Sequence, residues 1–157
     1  MKFKLEINIK PLSKDLLIVI SQFIIIILHF IKLNFFNQRF IKEDIFILDY
    51  ISNFFICFGI LVILISLKDL GKSLSAMPRP KKESKLIKKG IYKIISHPMY
   101  YSLILISLGF FIKTLTFYNL VLTILISIIV SIKINLEEEY LKNKYIDYKS
   151  YRKKLKI

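Results

Sequence analysis

Long apolar runs alternate with charged segments along this chain, and that pattern limits the folds open to it. Four runs stand out: Leu16–Ile31, Ile45–Leu67, Met99–Leu115 and Tyr118–Leu136. A helix needs roughly 20 apolar residues to cross ~30 Å of hydrocarbon, so the second run is long enough with tilt. The third is cleanly apolar only over Met99–Ile112. Lys113 interrupts it, which fits one arm of a tight helical hairpin turning at 113–119, with Lys113 extended to the interface. A chain of 157 residues, 55% hydrophobic and patterned this way, is expected to form one all-α domain. The domain is a polytopic membrane protein with about four transmembrane helices. No small-residue cleavage site follows Leu16–Ile31, so that run is expected to stay as an anchor.

Charge gives the orientation. The formal net charge is +14, and it is concentrated: Lys68–Lys93 holds nine Lys/Arg against Asp69 and Glu83, and the segment from Lys133 onward holds eight against four acids. The loop between the first two runs and the turn near Lys113 are close to neutral. Basic residues gather on the cytoplasmic side of membrane proteins, so both termini and the 68–98 loop are expected there, with four crossings. The same lysines lie against membrane runs, so anionic headgroups account for them better than nucleic acid does. The single cysteine, Cys57, excludes an internal disulfide and reads as a packing residue within its apolar run. Two distant histidines and one cysteine offer no metal-ligand spacing.

Two polar clusters fall on that cytoplasmic side. One is Gly90-Ile91-Tyr92-Lys93-Ile94-Ile95-Ser96-His97-Pro98-Met99-Tyr100; the other is Glu137-Glu138-Glu139, at the inner end of the last run. Pro98 suits the first turn of the third helix, where a missing N–H costs nothing, and His97 before it should be non-helical. Helix N-termini favour anions, so a carboxylate ligand fits there with His97 as a second donor. The plainer alternative is that His97 caps the helix or binds a backbone carbonyl. His29, near the end of the first run, is expected at the interface or between helices. Asp49 lies on the opposite side.

Beyond Leu136 the helical period continues. Glu137, Leu141, Tyr145 and Tyr148 share a face, and Lys133 precedes Glu137 by four residues and can pair with it. Glu137 and Glu138 are ~100° apart on a helix, so only one can face a site squarely. A solvated charged face with a tyrosine stripe on headgroups explains the same pattern. In the 68–96 loop, Met77-Pro78-Arg79-Pro80 forces extended backbone. Residues Met1–Lys10 alternate apolar and polar, which fits an extended interfacial segment.

In order along the chain come Leu70-Gly71, Ser73, Pro78, Pro80, Leu86, Gly90, Tyr92, His97-Pro98 and Tyr100. After two spans follow Lys133, Glu137-Glu138, Leu141, Tyr145, Tyr148 and Tyr151. This set resembles the isoprenylcysteine carboxyl methyltransferase and phospholipid N-methyltransferase superfamily of small membrane methyltransferases, in its short bacterial form. Ser96 and Lys133 stand where Arg is commonest, which removes a bidentate grip at both places.

The resemblance implies an integral membrane methyltransferase using S-adenosylmethionine. Residues 1–67 would be anchor helices and 68–157 the catalytic half, with the cytoplasmic loop and C-terminal helix closing over the cofactor. It implies cofactor binding by Tyr92, His97, Pro98, Tyr100, Glu137 and Glu138, and catalytic roles for Lys133 and Glu137. The acceptor would be a lipid or lipidated molecule entering from the bilayer: a carboxylate positioned by Lys133, or an amine deprotonated by a glutamate. Two other readings stand beside it. One is an NADPH-dependent, sterol-reductase-like enzyme. The other is a non-enzymatic basic membrane scaffold, or a degenerate member of the superfamily.

Overall fold

In the computed structural model, residues 11–31, 39–40 and 45–155 can be described. They are helical almost throughout: α1 Pro11–Leu28, α2 Phe46–Leu70, α3 Pro98–Thr114, α4 Phe117–Lys144 and a short α5 Tyr148–Lys154. Among the described residues the only β-type pairing is a single bridge, Arg39 to Thr116. The alternating Met1–Lys10 lies outside them.

Each boundary has a local cause. Pro98 occupies the first position of α3, with His97 before it at φ −128° and ψ 57°. Gly71, at φ 48°, closes α2 and returns its N–H to Leu67 O. The hairpin expected at 113–119 is tight: α3 ends at Thr114, and Leu115 takes a left-handed turn. Thr116 then caps α4, its hydroxyl accepting from Asn119 N. Lys113 reaches Asn53 Oδ1 at 3.2 Å.

α2 and α4, with 25 and 28 residues, are long and apolar enough to cross a membrane. Only 17% of the most apolar window of α2 is buried, and 33% of that of α4. Their hydrophobic side chains therefore face outward, as lipid-facing helices do and soluble core helices do not. The protein is membrane-associated. Cys57 is exposed on α2, so it lies on this outer surface and is not the packing residue its apolar setting suggests.

Between helices the contacts use small and polar groups, since lipid tails give apolar side chains no reason to prefer each other. On α2, Ser52, Gly59 and Ser66 recur every seven residues along the buried seam; on α3, Ser102 and Gly109 do the same. A methyl group at Gly109 would lie 2.9 Å from Ser52 O, and one at Gly59 would lie 2.6 Å from Ile106 Cγ1. The backbones are that close. α1 packs antiparallel on α4 through Ile25, Leu122, Ile126 and Val130. His29 is half-buried between helices, its Nε2 2.7 Å from Ser107 Oγ. Asp49 is exposed.

Candidate functional site

The C-terminal ends of α2 and α4 and the start of α3 meet at one end of the bundle, under the 71–97 segment. Asp69, near the end of α2, accepts from Ile91 N at 2.8 Å. Gly90 makes this possible: it sits at φ 58°, and any Cβ there would collide with the Asp69 carboxylate. The following one-turn 3₁₀ helix, Gly90–Lys93, buries Tyr92 against Ser66. Burial, with Glu137 next in effect, pushes the Tyr92 phenol well above its ordinary range.

α4 continues beyond Leu136 as the apolar period suggests, but not as far. It ends at Lys144, Tyr145 is extended, and α5 begins at Tyr148. Glu137, Leu141, Tyr145, Tyr148 and Tyr151 nevertheless all reach one cavity of about 380 Å³. That volume falls in the ~300–1,000 Å³ range of small-molecule sites. Its floor and walls include Tyr92, Ser96, His97, Tyr100 and Lys133. Pro78 and Pro80 come from the overlying loop, and Gln22, Phe23 and Ile26 from α1.

The two glutamates part ways, as their angular separation requires. Glu137 faces the cavity, with the Tyr100 hydroxyl beside it. Its Oε2 is 3.8 Å from His97 Nδ1 and makes no hydrogen bond among the described residues. Glu138 lies behind the wall and acts as an anchor. Its Oε1 accepts from Tyr148 OH at 3.0 Å and Arg152 Nε at 3.0 Å, and meets His97 Nε2 at 3.2 Å. Lys142 reaches its Oε2 at 3.2 Å. Tyr151 OH donates to Tyr92 O. Both tyrosines of α5 titrate high: burial pushes Tyr151 up to about 12, and burial plus the Glu138 charge pushes Tyr148 higher still.

Among the described residues, His97 neither caps α3 with its side chain nor binds a backbone carbonyl; its ring stacks on Tyr100 at 5.7 Å and faces the two glutamates. Lys133 does not close the expected pair with Glu137. It is 3% exposed; its Nζ donates to Gln22 Oε1 at 2.8 Å and lies 5.0 Å over the Tyr100 ring. The wrong order for an i, i+4 pair, together with a nearer amide, explains this. Of the residues singled out from sequence, Tyr92, His97, Tyr100, Lys133 and Glu137 line the cavity, whereas Pro98 and Glu138 stand just outside its wall.

Several residues here carry no motif. Gln22 is one. Asp15 is another: 1% exposed on α1, it accepts from Tyr140 OH at 3.3 Å and pairs with Arg79 Nε at 3.6 Å. Lys144 binds the carbonyls of Lys81 and Lys82, and Tyr145 OH donates to Ser84 O, so α4 holds the loop from below.

The site pairs buried carboxylate and tyrosine faces with apolar helix walls, a combination suited to a charged small molecule beside a lipid chain. No curated protein and no solved structure matches the chain. The phospholipid methyltransferase family matches it over residues 48–147, from the first turn of α2 to the link before α5. With more than half of its length matched, and the Gly90–Tyr100 and Glu137–Tyr145 walls of the cavity inside that stretch, the chain belongs to the phospholipid methyltransferase family.

Proposed function

We propose that this protein is a multi-pass membrane methyltransferase that uses S-adenosylmethionine to methylate a lipid or lipidated acceptor. The observation that carries the reading is Glu137: a carboxylate on the wall of a cavity whose other side is apolar helix. In this reading α1 to α4 all cross the bilayer. Both termini, the 68–98 loop and α5 lie in the cytoplasm, where their lysines meet anionic headgroups.

The residues present fit the cofactor. Glu137 Oε2 and Ser96 Oγ are enclosed without hydrogen-bond partners among the described residues, and a ligand rich in polar groups would satisfy them. Glu137 would hold the ammonium and sulfonium charge, with the ring faces of Tyr92 and Tyr100 alongside. The unpaired N–H groups at the start of α3, behind Pro98, and His97 would favour the carboxylate. Glu138 fixes His97 and α5 in place. Bound S-adenosylmethionine supplies a methyl group activated for in-line displacement.

What remains for the protein is orientation, which can supply ~7–11 kcal/mol of such a barrier. Lys133 orients an acceptor bearing negative charge. A carboxylate acceptor keeps no proton to lose; an amine does, and Glu137 is the base on the cavity wall. The test is transfer of radiolabelled methyl from S-adenosylmethionine into a lipid extract by purified protein. Label should enter the lipid fraction and fall at least 100-fold in Glu137→Ala; equal labelling by the variant would remove Glu137 from the mechanism.

A further inference from the structure

α1 lies outside the 48–147 segment that carries the family match, yet it reaches the cavity with a polar side chain. Its buried stripe makes two polar rungs to α4, seven residues apart on each helix. Asp15 pairs with Tyr140, and Gln22 with Lys133. The first rung is away from the cavity; the second is in its wall.

Gln22 is 7% exposed, and its Oε1 is committed to Lys133 Nζ, which orients the amide. Gln22 Nε2 has no hydrogen bond among the described residues, and Lys133 makes no other. An ammonium carries three N–H donors and an amide two, so most donors of this cavity-wall pair are unused. These donors open onto the cavity, where a ligand oxygen would satisfy them. One turn deeper from the site end, the wall is Phe23, Ile26, Ile63 and Leu103. One turn the other way is Glu137, which repels an anion. An anionic group on a hydrocarbon chain therefore comes to rest at Gln22 and Lys133.

We infer that Gln22 is a specificity-determining residue: with Lys133 it holds the anionic oxygen group, phosphate or carboxylate, of a lipid-chain acceptor. The inference rests on the methyltransferase reading of this cavity. Its own test needs no turnover. Binding of dihexanoyl phosphatidic acid, octanoate and uncharged dihexanoylglycerol is measured on detergent-purified protein at 0.5 M salt, which screens the surface lysines. The probes are compared on wild type, Gln22→Leu and Gln22→Glu.

Wild type should prefer one of the anions over dihexanoylglycerol at least 10-fold, and which anion it prefers separates phosphate from carboxylate. Both variants should reduce that preference to under threefold while S-adenosylmethionine affinity stays within twofold. Gln22→Glu keeps the side-chain size, so it decides the matter should Gln22→Leu fail to fold. Preference surviving in a folded variant, no preference in wild type, or loss of cofactor affinity together with the preference would each overturn the inference. Wild type that shows the preference but binds no S-adenosylmethionine supports the anion site and sinks the methyltransferase reading instead.

Discussion

His97 Nε2 and Glu138 Oε1 meet at 3.2 Å across 41 positions of sequence. That one carboxylate also receives Tyr148, Arg152 and Lys142, so the start of α3, the end of α4 and α5 share a single anchor. Charge-assisted hydrogen bonds to a half-enclosed carboxylate contribute more than neutral ones.

Glu138→Gln should therefore release α5 without emptying the cavity wall. We expect a stability loss of ~2 kcal/mol, since each hydrogen bond to a charged group is worth ~1.5–3 kcal/mol and the amide retains part of them. Amide exchange over residues 145–155 should rise together with a fall in cofactor affinity of about tenfold. Unchanged exchange in that segment would contradict the anchoring role.

Gly90→Ala should destabilise the protein by roughly 2–4 kcal/mol. It adds the left-handed backbone cost of a side chain to the loss of the Asp69–Ile91 contact, since the new methyl would overlap the Asp69 carboxylate. Asp69→Asn, which retains an acceptor oxygen, should cost less. Thermal unfolding in detergent ranks the two.

The seam between α2 and α3 makes a comparison of two glycines. Each new methyl would meet an isoleucine Cγ1 at 2.6 Å, but Gly109→Ala also meets backbone at Ser52 O, 2.9 Å, and Ile56 N, 3.2 Å, whereas Gly59→Ala meets one backbone atom, Ser102 O, at 3.1 Å. Overpacking costs ~1–3 kcal/mol, and Gly109→Ala should lie at the upper end and Gly59→Ala at the lower. Equal melting temperatures would mean that the helices slide apart more easily than this packing implies.

Alkaline pH should unfold the C-terminal layer. Tyr151 is pushed up to about 12, and Tyr92 and Tyr148 beyond it, chiefly by burial. Below pH 10 both folded and unfolded chains keep these protons, and the stabilisation is complete. Between 10 and about 12 only the folded chain keeps them, so stability falls with rising pH by up to ~1.4 kcal/mol per unit for each phenol. Tyr151→Phe should make that decline shallower, measured as melting temperature from pH 9 to 12.

Sequence made the helical bundle legible where the backbone rule is local. Pro98 fixes the start of α3, and the 3.6 period carries α4 beyond its apolar run. The split between Glu137 and Glu138 follows from helix geometry alone. The break at Tyr145 was hidden because Tyr148 keeps its place on the cavity by a turn and a new helix, so the period reads as unbroken. Gln22 was hidden for another reason. One amide in an apolar run has no signature, and its partner is 111 residues away. Lys133 invited pairing with its neighbour Glu137, but the third dimension offered a closer acceptor.

In the reading proposed above, the cavity holds S-adenosylmethionine at Glu137 and His97. Calorimetry on detergent-purified wild type, His97→Ala and Glu137→Ala tests it most directly. Wild type should show saturable micromolar binding, weakened at least tenfold in each variant. Wild type that is folded and binds no S-adenosylmethionine, or variants that bind it as wild type does, would contradict it.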